Sequence, residues 1–184
     1  MQQVKGSVLK SRLGFVEEVA GKAGVDRVLS MLSEQDRKDL GMVLTVKWYP
    51  FELGKRLDDA IFQALGGGDA AFFLKLGEAS AVKNLSTVHK GFLTSGDAHA
   101  FLAKAPLIYS MYYGTGRREY ERTGDKTGVL TTHEAQTFSA PDCLTVVGWY
   151  RKALEMCGLK GVQIVEDECR ANGAQVCRYR VAWG

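Results

Sequence analysis

The sequence predicts an α+β fold: a helical N-terminal layer packed on a four- to five-stranded antiparallel sheet, with a C-terminal helix plus β-hairpin. Three observations carry this reading. Up to Pro106 the apolar residues recur mainly at helical spacing, as in Leu53, Leu57, Ile61 and Leu65. From Leu107 onward, aromatic and β-branched runs alternate with glycine turns. After Asp142 a helical stretch leads into two strand-like runs separated by Asn172-Gly173, a strong hairpin signal.

The elements follow in order. Val4–Leu9 reads as a short strand. Arg12–Ala20 is a helix with Leu13, Val16, Val19 and Ala20 on one face, and Val25–Leu32 continues as a second. Ser33-Glu-Gln-Asp36 resembles a capping box that opens a third, short helix. Trp48-Tyr49-Pro50 opens the next, with Pro50 where its missing N–H costs little. Gly66-Gly-Gly68 ends that helix, and Asp69 caps another that runs through Leu76 and Val82. A short helix follows Asp97-Ala-His99. Tyr109, Met111 and Tyr113, and later Val129–Phe138, read as strands separated by the turns Gly114–Gly116 and Gly124–Gly128. Asp142, as N-cap, opens a helix to Cys157, and Gly158 fits the position just past its end. Val162–Cys169 and Gln175–Trp183 form the final hairpin.

Length and composition bound the class. At 184 residues with 46% hydrophobic side chains, residues 1–184 are expected to form a single domain with a buried core. Lys+Arg 24 against Asp+Glu 21 gives a net charge of +3, too mild and too dispersed for a nucleic-acid footprint. The one basic cluster, Arg117-Arg118 with Arg122, is interleaved with Glu119 and Glu121 and reads as a solvated face. No apolar run has transmembrane length, and Met1-Gln-Gln-Val-Lys lacks the apolar core of a secretory signal. A cytoplasmic protein without membrane or nucleic-acid partners is expected.

All four cysteines lie after residue 142. A turn at Asn172-Gly173 sets Cys169 nearly opposite Cys177, and Cys143 sits in a first helical turn, where the helix dipole favours a thiolate. Three sulfurs and one carboxylate form an acceptable tetrahedral set for zinc. Packed free thiols or a cross-strand disulfide are the alternatives, and a reducing compartment disfavours the disulfide. Cys157 belongs elsewhere: it lies roughly 21 Å up the helix axis from Cys143 at 1.5 Å per residue, and it reads as a small buried apolar residue. The carboxylate stays open between Glu166, Asp167 and Glu168. Strict alternation turns Glu166 away from Cys169, so Glu166 requires a bulge.

Cys143, Gly148-Trp149, Gly161, Glu166-Asp167-Glu168-Cys169, Gly173 and Cys177 together resemble the four-vinyl-reductase-type (V4R) small-molecule sensor domain of bacterial transcription activators. The resemblance implies that Cys143, Glu166, Cys169 and Cys177 bind a structural Zn²⁺. Lys5-Gly6-Ser-Val-Leu, Arg27-Val28-Leu, Trp48-Tyr49-Pro50-Phe51 and Leu76-Gly77-Glu-Ala-Ser80 also resemble a domain family of unknown function from myxobacteria and their relatives, over nearly the whole chain. Lys5-Gly6 before an apolar helix with Phe15-Val16-Glu17 is similar to the opening of haem-nitric-oxide-binding domains. Their Tyr-x-Ser-x-Arg motif is absent. Gly128-Val129-Leu130 lacks the pocket tryptophan of the phenol sensors, so phenol binding does not carry over.

Other constellations do not assemble. His89, His99 and His133 show no shared ligand spacing, and no GxSxG or SxxK nucleophile motif occurs. The sequence therefore points to a non-enzymatic cytoplasmic sensor or scaffold module with structural zinc. Its partner is expected to be a small apolar molecule or a protein, and the chain is expected to form a homodimer. His133, Trp149 and Tyr113 are the candidate ligand-pocket residues. The first alternative is a tetrapyrrole- or haem-related sensor or reductase accessory protein, with His99 as a conceivable axial ligand. The second is a purely structural protein-interaction domain.

Overall fold

The computed structural model describes residues 2–67, 69–87, 89–136 and 139–184. Strand β1 spans only Gln3–Lys5, because helix α1 (Gly6–Ser30) already begins where the sequence suggests a longer strand. The first amides of α1 need acceptors, and the carbonyls of Lys47 and Thr45 meet Gly6 and Ser7 at 2.9 and 3.1 Å. The two helices expected between residues 12 and 32 are halves of α1. They join through a kink at Gly21, whose φ of 63° and ψ of −172° suit glycine alone.

Of the expected helix starts, Ser33 acts as read, whereas the helix that begins at Ala71 has Ala70 rather than Asp69 as its N-cap and Trp48–Pro50 is a strand ahead of its helix. Ser33 Oγ accepts from the Asp36 amide at 3.1 Å and caps α2 (Glu34–Gly41). Trp48–Pro50 forms β2, antiparallel to β1, and α3 (Phe51–Ile61) starts directly after Pro50. Leu53, Leu57 and Ile61 are buried along α3, which continues into a wider turn over Phe62–Gly66. Gly68 lies outside the described residues. The amide of Ala71 donates to Asp69 Oδ1 at 2.8 Å at the start of α4 (Ala71–Leu85). Asp97 caps α5 (Ala98–Leu102) through the Ala100 amide, also at 2.8 Å.

One stretch departs from its expected state. Tyr109 and Met111 belong to helix α6 (Ala105–Tyr112), not to a strand, and Tyr113 follows as its C-cap. Ala105, Ile108, Tyr109 and Tyr112 are buried at helical spacing, and that packing overrides the strand propensity of the aromatics.

Strands β3 (Arg117–Arg122), β4 (Thr127–His133), β5 (Gln163–Glu168) and β6 (Val176–Ala182) form a four-stranded antiparallel sheet in the order β3-β4-β6-β5. Phe138, the expected end of the second strand, lies outside the described residues. Leu130 and Thr132 on β4 lie opposite Tyr179 and Cys177 on β6 and, with Val181, form the buried face. Arg118 on β3 is buried too, which corrects its reading as part of a solvated face.

Helix α7 spans Ala140–Met156. Its N-cap is Ser139 rather than Asp142, since Ser139 Oγ accepts from the Asp142 amide at 3.3 Å. That leaves the Asp142 carboxylate free to reach across the molecule. Gly158 follows the helix with φ 88°, as its position suggests. Helices α4 and α7 touch backbone to backbone. A Cβ on Gly77 would lie 2.2 Å from the Thr145 carbonyl oxygen, and one on Gly148 would lie 2.1 Å from that of Leu74. No helix among the described residues is long and apolar enough to cross a membrane.

Candidate functional site: a tyrosine-lined cleft beside a cysteine cluster

A narrow cleft, with a cavity volume of about 70 Å³, lies between α1, α4, α6, α7 and the start of β3. Val8, Ile108, Val146 and Trp149 supply apolar wall. The Ser11 and Ser80 hydroxyls bond to each other at 2.6 Å and tie α1 to α4 along one side. Tyr109, Tyr112, Tyr113 and Tyr150 also line it. Tyr109 Oη donates to the Thr115 carbonyl at 2.8 Å. Tyr112 Oη and Tyr150 Oη are buried and have no protein partner.

Two buried arginines face this space. Arg12 Nε donates to Asp58 Oδ1 at 2.9 Å, and Arg12 Nη2 donates to Asp142 Oδ1 at 2.6 Å. One cation thus joins α1, α3 and α7. Burial pushes the Asp58 carboxyl well above its usual range, the Arg12 charge opposes that shift, and the neighbouring Asp142 adds to it. Arg118 lies among three tyrosine rings, 5.1 Å from the centroid of Tyr109, 5.4 Å from Tyr150 and 5.9 Å from Tyr179. Its Nε donates to Thr132 Oγ1 at 2.9 Å.

A second cluster sits against the same arginine. Arg118, Asp142, Cys143, Cys177 and Tyr179 share a smaller cavity at the base of α7. There the ligand atoms of Cys143, Glu166, Cys169 and Cys177 all lie within 4.8 Å of one another. Cys143 Sγ and Cys169 Sγ are 3.2 Å apart, and the Arg170 amide donates to Cys177 Sγ at 3.4 Å. The register explains how Glu166 joins. Glu166 pairs with Tyr179 and Glu168 with Arg178, so Asp167 is the extra residue of a bulge. Asp167 and Glu168 turn instead to Arg180 and Arg178. Hydrogen bonding from Cys143 brings the Cys177 thiol down to about 7 against burial, while burial raises Glu166 and Cys169. Glu166 Oε1 is buried with no partner. Cys157 is buried apart from this group, near the 94–96 turn, where its carbonyl accepts from the Gly96 amide at 2.8 Å.

Of the candidate pocket residues, Trp149 and Tyr113 line the cleft. His133 lies on β4, where its Nε2 meets Glu119 Oε2 at 3.1 Å. Sequence reasoning missed Arg12, Asp58, Arg118, Tyr112 and Tyr150. A signal existed for Arg12, a charge inside the apolar helical stripe of Leu9 and Val16, and for Arg118, which alternates with its exposed neighbours Arg117 and Glu119.

No family model matches the chain, and no curated protein matches it. Solved structures do. An H-NOX protein from S. oneidensis in the Fe(II)NO ligation state aligns with TM-score 0.74 at 15% identity, covering 98% of this chain and 99% of that one. A mutant H-NOX protein from K. algicida, Fe(II) unliganded, gives 0.73 at 14%, covering 98% and 96%. A structure described as "Modulating Heme Redox Potential Through Protein-Induced Porphyrin Distortion" gives 0.70 at 11%, covering 97% and 99%. At these identities the likeness is one of fold. It corrects the cofactor expectation: the matching structures are described by Fe(II) and haem rather than zinc, and structural zinc is withdrawn for this chain.

A haem iron needs an axial ligand, and His89 lies beside the cleft, its ring centroid 5.7 Å from that of the cleft residue Tyr112. The described residues lining the cleft include no histidine, cysteine or methionine. His99 has both ring nitrogens engaged, Nδ1 with Tyr120 Oη at 2.5 Å and Nε2 with the Asp125 carbonyl at 2.9 Å. The glycine contact between α4 and α7 also leaves no slot for a flat macrocycle between those two helices.

Proposed function

We propose that residues 1–184 act as one non-enzymatic sensor domain that takes a small, largely apolar molecule in the cleft between α1, α4, α6, α7 and β3. The observation that supports this is the lining itself. Apolar walls surround two buried phenol hydroxyls, those of Tyr112 and Tyr150, that have no protein partner. An unmet buried hydroxyl costs about 1–3 kcal/mol, and a ligand atom removes that cost. Native mass spectrometry tests the reading. The wild-type protein is expected to carry a retained molecule of defined mass. A Ser80→Phe variant, which fills the cleft, is expected to lose it while keeping its circular dichroism. An adduct equally present in both proteins overturns the reading.

A haem-related sensor is the second reading, favoured by one observation: structures described as H-NOX proteins cover nearly the whole chain. Haemin added to the purified protein separates the two. A sharp Soret band with a stoichiometric end point supports the haem reading, and the broad spectrum of free haemin supports the first.

The V4R resemblance belongs to this proposal as well. In it Cys143, Glu166, Cys169 and Cys177 form a metal-ligating corner beneath the cleft, with the identity of the ion left to titration. We further propose a cytoplasmic homodimer. Met42, Leu44, Val46 and Trp48 expose apolar surface on one short stretch and are the surface offered for it. Light scattering of wild type and Val46→Glu tests that part, and a monomer in both rejects it.

A further inference from the structure

Arg118 is 8% exposed, and no carboxylate pairs with it among the described residues. A guanidinium stays charged at every accessible pH and carries five N–H donors. Burying such a charge is costly unless an anion meets it. The neighbouring Arg12 shows the usual solution, with carboxylates from Asp58 and Asp142. Arg118 has instead neutral partners only, Thr132 Oγ1 and three tyrosines, of which Tyr150 also acts on it through its hydroxyl. Both arginines line the same cleft. Arg12 is already met by two carboxylates, so Arg118 is the guanidinium that faces this space without one among the described residues.

The orphaned phenols add donors at the same place. Tyr150 is one of the rings around Arg118, and the hydroxyls of Tyr150 and Tyr112 are buried without a protein acceptor. A guanidinium and two O–H groups converging in an apolar cleft form a receptor for an oxyanion attached to an apolar body. We propose that the ligand of this cleft is an acid, a small aromatic or alicyclic molecule bearing one carboxylate, and that Arg118 is the residue that pairs with that carboxylate. The proposal rests on the cleft being the ligand site. It adds the chemical class of the ligand and the residue that selects it. A charge-assisted, two-pronged arginine–carboxylate contact is strong and directional, so it discriminates an acid from a neutral molecule of the same shape.

The test compares 1-naphthoate with 1-naphthylmethanol by isothermal titration, on wild type, Arg118→Met and Arg118→Lys. Wild type is expected to bind the acid at least about tenfold more tightly than the alcohol. Arg118→Met is expected to lose that preference and to bind acid and alcohol with similar affinity. Arg118→Lys is expected to retain part of it, since the charge remains and the planar fork does not. Equal binding of acid and alcohol by wild type overturns the role of Arg118 and leaves the cleft reading standing. Binding of neither overturns both. The wild-type comparison needs no variant, so it stands even where Arg118→Met fails to fold.

Discussion

Arg12 Nη2 donates to Asp142 Oδ1 at 2.6 Å and joins α1 to the first turn of α7 across 130 residues of sequence. The same guanidinium holds Asp58 on α3, so one cation fixes three helices around the cleft. Arg12→Met leaves two buried carboxylates without their partner. It is expected to destabilise the fold by about 3–5 kcal/mol, read from the urea midpoint. Arg12→Met combined with Asp58→Asn is expected to recover part of that loss. A single variant as stable as wild type would mean that the triad contributes nothing net.

Asp58 also gives this protein a pH signature. Its folded pKa lies above its ordinary value of 3.8, so between the two values the folded state binds more protons than the unfolded one. Stability from this group is therefore present below pH 3.8 and is lost as pH rises through the folded value. Asp58→Asn is expected to flatten this acid-to-neutral decline in urea titrations at stepped pH. An unchanged slope would show that Asp58 titrates as it does in the unfolded chain.

The cysteine corner is checked with Co²⁺ as an optical probe. Thiolate charge-transfer bands are expected in wild type and in Cys157→Ala, and are expected to vanish in Cys143→Ala, Cys169→Ala and Cys177→Ala. Hydrogen bonding to Cys177, followed by burial, raises the Cys143 thiol, so the bands should weaken as pH falls and protons compete for the sulfurs. Bands that survive in any of the three variants would remove that residue from the ligand set.

Gly77 and Gly148 are expected to be intolerant of a methyl group. Each added Cβ would meet a helix carbonyl oxygen near 2 Å, at 2.2 and 2.1 Å respectively, so α4 and α7 would have to separate. Overpacking of this kind costs about 1–3 kcal/mol or more, which exceeds the roughly 1 kcal/mol that alanine gains over glycine in a helix. Gly14→Ala on α1, whose Cβ would meet only the tip of Lys83 at 3.4 Å, is the control and is expected to be neutral or stabilising. Equal thermal midpoints for all three variants would contradict the close crossing.

Tyr112→Phe and Tyr150→Phe remove hydroxyls that are buried without protein partners. In ligand-free protein each change is expected to be neutral or to stabilise by up to about 1–2 kcal/mol. Both are expected to weaken binding of 1-naphthoate. A destabilised Tyr150→Phe with unchanged binding would show that the hydroxyl is satisfied within the protein and turned away from the ligand.

Sequence alone determined what short-range chemistry controls. Ser33 bonds an amide three residues away, so the start of α2 was legible from neighbouring residues, whereas Ala70 rather than Asp69 is the N-cap of α4. Gly158 is read the same way, and so is the turn at Gly173, which has φ 92°. The sheet's alternation and the C-terminal hairpin follow from a period-two pattern visible in the chain. Tertiary structure decided the rest. Tyr109–Tyr112 became helix because α6 buries one of its faces, an outcome no local propensity carries. Glu166 enters the cysteine cluster through a bulge at Asp167 that cross-strand register sets. Arg118 lies inside and Arg117 outside because β3 pairs with β4 in one register, and a slip of one residue would exchange them. Arg12, Asp58 and Asp142 meet over separations of 46 and 130 residues. A buried charge is tolerated only where distant chain supplies its partner, so its identity appears once the helices pack and not before.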